Sequence, residues 1–195
     1  MRLRCKILLI TIGILSLSLL VSSVVIIESF RKHYTDALIT GSFGVGHSIE
    51  SLLNEMLALG LPLDSLSGMN RKLTEVVDKN AHIDYAYVMD AQGRVVFHSR
   101  SERVGTVLAQ DVDIKALRAN VPIWQTRDSD KGVQYIDVSL PMFDDDQRIG
   151  VIRLGFPVSV IDSKVTVALR HLFLIILLTF VLITLMLNLV LRRQV

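Results

Sequence analysis

The sequence predicts an α+β domain, an antiparallel sheet of five strands with helices against it, held between two membrane-spanning helices. Three observations lead there. Two uncharged apolar runs, residues 7–27 and 172–191, bracket the chain. Helical periodicity fills the first part of the segment between them, and an alternation of period two takes over at Asp84. Strand candidates then follow one another, parted by turns rich in Asp and Gly.

The apolar runs hold 21 and 20 residues. At about 1.5 Å of helix rise per residue each is roughly 30 Å long, enough to cross a bilayer. Arg2, Arg4 and Lys6 precede the first run, and Arg192 and Arg193 follow the second. The segment between carries sixteen Lys or Arg against all nineteen acidic residues, a net charge of −3. Basic residues beside a span favour the cytoplasmic side. The expected order is therefore a cytoplasmic tail (1–6), a first span (7–27), an extracytoplasmic domain (28–171), a second span (172–191) and a cytoplasmic tail (192–195). Cleavage of the first run as a signal peptide is disfavoured, since such cores are about 7–15 residues long and no small-x-small exit follows Ser22 and Ser23. Cys5 is the sole cysteine, so no disulfide forms within the chain. The overall charge of +2 averages two compartments and gives no reason to expect a nucleic-acid partner.

In chain order, residues 28–40 continue the first span outward as helix. Gly41, Gly44 and Gly46 mark a bend or a close helix contact. Ile49, Leu52, Leu53, Met56 and Leu57 then form one apolar helical face that ends at Gly60 and Pro62. Asp64 or Ser65 caps a further helix with Leu66, Met69, Leu73, Val76 and Val77 inward and Asn80 near its end. From Asp84, Tyr85, Tyr87 and Met89 point one way and Ala86 and Val88 the other. Residues 90–93 turn the chain and 95–98 return. A loop containing Gly105 leads to a short helix near 112–119. Strands over 123–127, 133–142 and 149–156 follow, with turns at 128–132 and 144–147. The last strand runs into a helix that starts near Ser159 and meets no breaker before Leu191.

Three stretches carry a resemblance. Residues 83–96 resemble the central hairpin, with an Asp-x-x-Gly turn, of the extracytoplasmic single-Cache or PAS-like sensor domains of bacterial sensor histidine kinases, diguanylate cyclases and chemoreceptors. His98-Ser99 through Arg103-Val104-Gly105 is similar to the loop that follows it. Residues 135–141 and 148–155 are similar to the closing strands that lead into the exit helix. The resemblance covers about 45–190, including the phrase over 59–63. It implies a PAS-like fold with a long N-terminal helix, a dimer in the bacterial inner membrane, a periplasmic domain and a small-molecule ligand, often a carboxylate or amino acid. It also implies a signalling module beyond the second span. The chain ends four residues past Leu191, so the expectation is a receptor component whose output module is missing or supplied by a cytoplasmic partner, as in two-component signal transduction.

Within that family the ligand lies between the sheet and its long loop. Trp124, Arg127, Tyr135 and Asp137 fall on the strands expected there, with His98 and Arg103 near the loop. Aromatic walls, an arginine for a carboxylate and an aspartate for an ammonium suit such a ligand, although Trp124 and Tyr135 on alternating strands are also natural core residues. Asp144, Asp145 and Asp146, with Asp128 and Asp130, read as solvated turns rather than a cation site, because they lack the spacing of known loops. The five histidines, 33, 47, 82, 98 and 171, show no metal-ligand spacing. No catalytic motif and no cofactor is expected. Ser18 and Ser22, four residues apart, permit close approach of two spans, and Asn188 offers a hydrogen bond across a dimer or reaches interfacial water. The alternative is a membrane scaffold whose outer domain binds a protein partner.

Overall fold

The computed structural model describes residues 2–60, 66, 68–129, 132–144 and 147–192, with side chains except at 2–9, 11, 12 and 187–192. The expected caps Asp64 and Ser65, Pro62, the turn residues Asp130, Asp145 and Asp146, and the side chains of Cys5 and Asn188 lie outside these. Two compact units are present, residues 35–160 and the combination of 1–34 with 161–195.

In the first unit a five-stranded antiparallel sheet, in the order β2-β1-β5-β4-β3, is built from β1 (Tyr85–Asp90), β2 (Val95–His98), β3 (Ile123–Asp128), β4 (Gln134–Asp144) and β5 (Gln147–Pro157). Every pairing is antiparallel, as in a sheet joined largely by hairpins. The α+β reading with five strands therefore holds. Asp90 sets the first hairpin: its carboxylate accepts the backbone N–H groups of Gln92 and Arg94 at 2.9 Å each, and Gly93 supplies the positive φ of 84°.

Helix α1 (Arg2–Ala58) does not bend at the glycines; it runs through them without a break. The expectation of a close contact is met at Gly46. A β-carbon there would stand 2.5 Å from a Leu140 methyl and 3.2 Å from a Leu154 methyl. Helix α2 (Met69–Lys79) begins after Gly68, in the left-handed conformation, and buries Met69 and Leu73. Period two sorts the sheet into faces. Ala86, Val88, Val138, Leu140, Ile152, Leu154 and Phe156 share the face that α1 meets at Gly46. The opposite face carries Tyr85, Tyr87, Met89, Asp137, Ser139, Val151 and Arg153. Helix α3 (Asp111–Arg118) covers one end of it, where Tyr87, Met89, Val95, Ala116 and Val151 form an apolar cluster. Arg148 anchors the end of α3 by donating to the Leu117 and Ala119 carbonyls and to Asn120.

The second unit pairs the first part of α1 with α4 (Ser159–Arg192). Both helices contain stretches long and apolar enough to cross a membrane. Arg31 on α1 donates to Asp162 on α4 at 2.8 Å, and both side chains are about half exposed, so the pair contributes little to stability. Ser23, Thr179 and Thr184 return their hydroxyls to backbone carbonyls three or four residues back, which pairs these three protons within the helices.

Candidate functional site

The polar face of the sheet is built around an arginine. Arg153 lies on the central strand β5 and is fully buried. Its Nε donates to Asp137 Oδ1 at 2.8 Å and its Nη1 to Asp113 Oδ1, while its guanidinium lies over the Tyr87 ring at 5.5 Å. Burial alone opposes the Arg153 charge, and Asp137 foremost raises its pKa against that penalty. Asp137 also accepts from Tyr85 (2.7 Å) and Ser139 (3.2 Å). Gly155 makes the first of these possible. A β-carbon there would overlap the Tyr85 ring. The Gly155→Ala variant is expected to push Tyr85 off Asp137 and to cost about 2 kcal/mol, read as a lower urea midpoint at unchanged slope.

Above this layer lies a cavity of about 210 Å³, walled by Tyr85, Tyr87 and Tyr135 and by Arg100, Arg103 and Arg127. The sheet supplies Arg127 and the tyrosines. The segment after β2, a 3-10 turn at Ser101–Arg103 and the chain to Gln110, supplies Arg103, Thr106 and Leu108. Arg127 Nη1 donates to the Tyr87 hydroxyl at 3.2 Å and to Asp113 at 3.4 Å. At the rim, Asp84 accepts from Arg100 and from the Tyr135 hydroxyl, both at 2.9 Å. Burial pushes the Tyr85 and Tyr87 hydroxyls up, with Asp137 adding to it, so both remain protonated donors. Arg103 has no ion pair among the described residues.

His98 is buried beside Tyr87, the two rings parallel with centroids 5.3 Å apart. Its Nδ1 accepts the Arg100 backbone N–H at 2.8 Å, so the neutral ring carries its proton on Nε2. Burial first, then Arg100 and Arg103, push the His98 pKa down to about 4. The unfolded chain binds this proton near pH 6.5, so between about pH 6.5 and 4 it holds more protons than the folded one. Stability should therefore fall as pH drops through that window, by at most about 3 kcal/mol from this group. His98→Gln should flatten the slope of urea midpoint against pH between about 6.5 and 4.5.

Of the six side chains expected from sequence, the cavity gathers His98, Arg103, Arg127 and Tyr135. Asp137 lies beneath the cavity wall, bound to Arg153 and Tyr85, and does not line it. Trp124 is 52% exposed and lies outside the lining. It lies three positions before Arg127, and an odd offset places two strand residues on opposite faces. It pairs with Val138, on the other side of the sheet, and its exposure rules out the core position that alternation alone suggests. Sequence reasoning missed Tyr85, Tyr87, Asp84, Arg100, Asp113 and Arg153. The visible signal for Arg153 was a charge inside the apolar strand 149–156, which is tolerated only with partners. For Asp113 it was the spacing Gln110-x-x-Asp113, and the Asp113 carboxylate does accept the Gln110 N–H at 3.0 Å. Among the described residues no group of His, Cys, Asp or Glu is arranged to hold a metal.

Residues 52–170 match the family described as single cache domain 3. The sensor domain of E. coli DcuS aligns with a TM-score of 0.56 and 20% identity, over 70% of this chain and 98% of that one. The sensor domain of the V. cholerae histidine kinase DctB aligns at 0.49 and 15%, over 70% and 56%. An extracellular ligand binding receptor from Desulfohalobium retbaense DSM5692 aligns at 0.48 and 20%, over 65% and 24%. The chain thus spans nearly all of the first, a little over half of the second and about a quarter of the third. A search among curated proteins found no match.

Proposed function

The chain belongs to the single cache domain 3 family of extracytoplasmic sensor domains, and from that premise we propose that it senses a small carboxylate in the cavity over the polar face of the sheet. The observation that carries this reading is the charge inventory of the cavity. Three arginines line it, together with His98 and three tyrosines, of which Tyr85 and Tyr135 already donate their hydroxyl protons to Asp137 and Asp84. Of the lining carboxylates, Asp84 is engaged with Arg100 and Tyr135, and the exposed Asp128 has only the Gln134 amide at 3.5 Å among the described residues. Beneath the lining, Asp113 is held by Arg153 and Arg127, and Asp137 by Arg153 and Tyr85. A planar carboxylate finds forked donors there. For the ammonium of an amino acid the lining offers the exposed Asp128 against three arginines, so a simple carboxylate is favoured over a zwitterion.

The two long apolar helices cross the bacterial inner membrane, with spans at 7–27 and 172–191, the domain of 28–171 in the periplasm and both tails in the cytoplasm. Arginine and lysine in both tails support that orientation. Because β5 ends at Pro157 and α4 begins at Ser159, little linker separates the sheet from the exit helix. A ligand that favours one domain shape over another then shifts the helix within a dimer, toward a cytoplasmic signalling partner. The test is the melting of the full chain in lipid nanodiscs with acetate, succinate, citrate, glycine and glucose. At about a hundredfold excess over Kd a true ligand adds about 2.7 kcal/mol to stability. A rise with a carboxylate and none with glycine or glucose is expected. A rise with glucose or glycine alone contradicts the reading.

A further inference from the structure

Among the described residues, Arg127 is the cavity arginine that reaches a buried carboxylate, Asp113, and holds it weakly. Its two hydrogen bonds, 3.2 Å to Tyr87 and 3.4 Å to Asp113, are long for a guanidinium, whose bonds to carboxylates run about 2.7–2.9 Å. Asp113, by contrast, is fully buried and needs little from it. Its Oδ2 accepts the Gln110 N–H, which opens α3, and its Oδ1 accepts from Arg153. Arg153 in turn bonds Asp137. Were Arg127 to turn away, Asp113 would keep a buried cation and a backbone donor. Were Asp113 to leave, Arg127 would keep the Tyr87 hydroxyl as its hydrogen-bond partner among the described residues.

Resting on the carboxylate reading above, we propose that Asp113 is an internal stand-in for the ligand's carboxylate. It competes with the ligand for Arg127, so that binding exchanges the Arg127–Asp113 pair for an Arg127–ligand pair. The exchange removes one tie between the N-terminal turn of α3 and the edge strand β3, leaving the Gln125 amide on the Val112 carbonyl as the hinge there and α3 tied to β5 through Arg153 and Arg148. Affinity is thereby set below what the cavity's cations alone would give, and occupancy is reported on α3.

The test is Asp113→Asn in the full chain in nanodiscs. The single amide oxygen keeps the cap when it is turned to the Gln110 N–H; the amide NH2 then faces Arg153, which retains Asp137, and Arg127 is freed from its charged competitor. Calorimetric titration with succinate is expected to show about tenfold tighter binding than wild type, the scale of one charge-assisted pair removed from the ligand-free state. Equal or weaker binding by the variant overturns the proposal. A second measurement needs no variant to fold: in wild type labelled at the aspartate carboxyl carbons, the Asp113 signal should shift on saturation with succinate and the Asp137 signal should stay. An unmoved Asp113 signal in a chain that binds succinate overturns the competitor role alone. Absence of binding by any carboxylate in wild type removes the reading of the cavity, and this proposal with it.

Discussion

Replacement of Arg153 by methionine is expected to lower the melting temperature of the domain by on the order of 10–20 °C. The side chain is fully buried on the central strand of the sheet and compensates two buried carboxylates, Asp113 and Asp137. Methionine fits a comparable volume, so packing is not the main loss. Two carboxylates are left without their buried cation, and breaking such a pair from one side costs about 3–5 kcal/mol. For a domain of this length, each kcal/mol moves the midpoint by roughly 3–5 °C. The triple variant Arg153→Met, Asp113→Asn, Asp137→Asn carries the complementary expectation. With both charges removed as well, most of the lost stability should return, because buried ion pairs are often close to neutral against uncharged replacements. Circular dichroism melts of the three proteins separate the cases. A single variant that melts within a few degrees of wild type would mean that Arg153 is not what neutralises the polar layer.

Arg127→Gln is expected to have the opposite profile. Asp113 keeps Arg153 and the Gln110 N–H, and Arg127 sits on an edge strand, so stability should change by less than about 1 kcal/mol. Carboxylate affinity should fall on the order of a hundredfold, the usual scale for truncating one partner of a desolvated charge pair. Trp124→Ala, on the other face of the same strand, should leave affinity unchanged. Calorimetric titration of both variants with the carboxylate that raises the wild-type melt most strongly decides this. Loss of binding in the tryptophan variant together with its retention in the Arg127 variant would place the ligand on the other side of the sheet.

The elements were legible because each carries a local cause. Period two over 85–89, the Asp90 and Gly93 turn and the apolar run of 149–156 have few competing interpretations, and the exit helix has no breaker to end it. The glycine patch in α1 misled for a physical reason. Glycine marks either a bend or a close approach, and only the Leu140 and Leu154 methyls, distant in sequence, decide in favour of the second at Gly46. The site was less legible. Arg127 and Tyr135 pair across β3 and β4, so chemistry and hairpin register together brought them into one place. Trp124 is excluded by parity alone, since its odd separation from Arg127 along one strand is plain in the sequence. Asp137 has the chemistry of an ammonium partner, but its engagement by Arg153 and Tyr85 depends on strand order, with β5 between β1 and β4. No local pattern announces that order. Asp113 shows the same limit: the capping spacing of Gln110 and Asp113 is local, whereas the approach of its carboxylate to Arg153, forty residues away, is not.

A crystal structure of the chain grown with the carboxylate that raises its melting temperature most would decide the role of the cavity. The carboxylate should lie between the sheet and the 99–110 segment, forked on the Arg127 guanidinium and near His98 Nε2, with the Arg127–Asp113 contact opened. Density for the ligand on the Trp124 face, or in the cavity but away from Arg127, would contradict this.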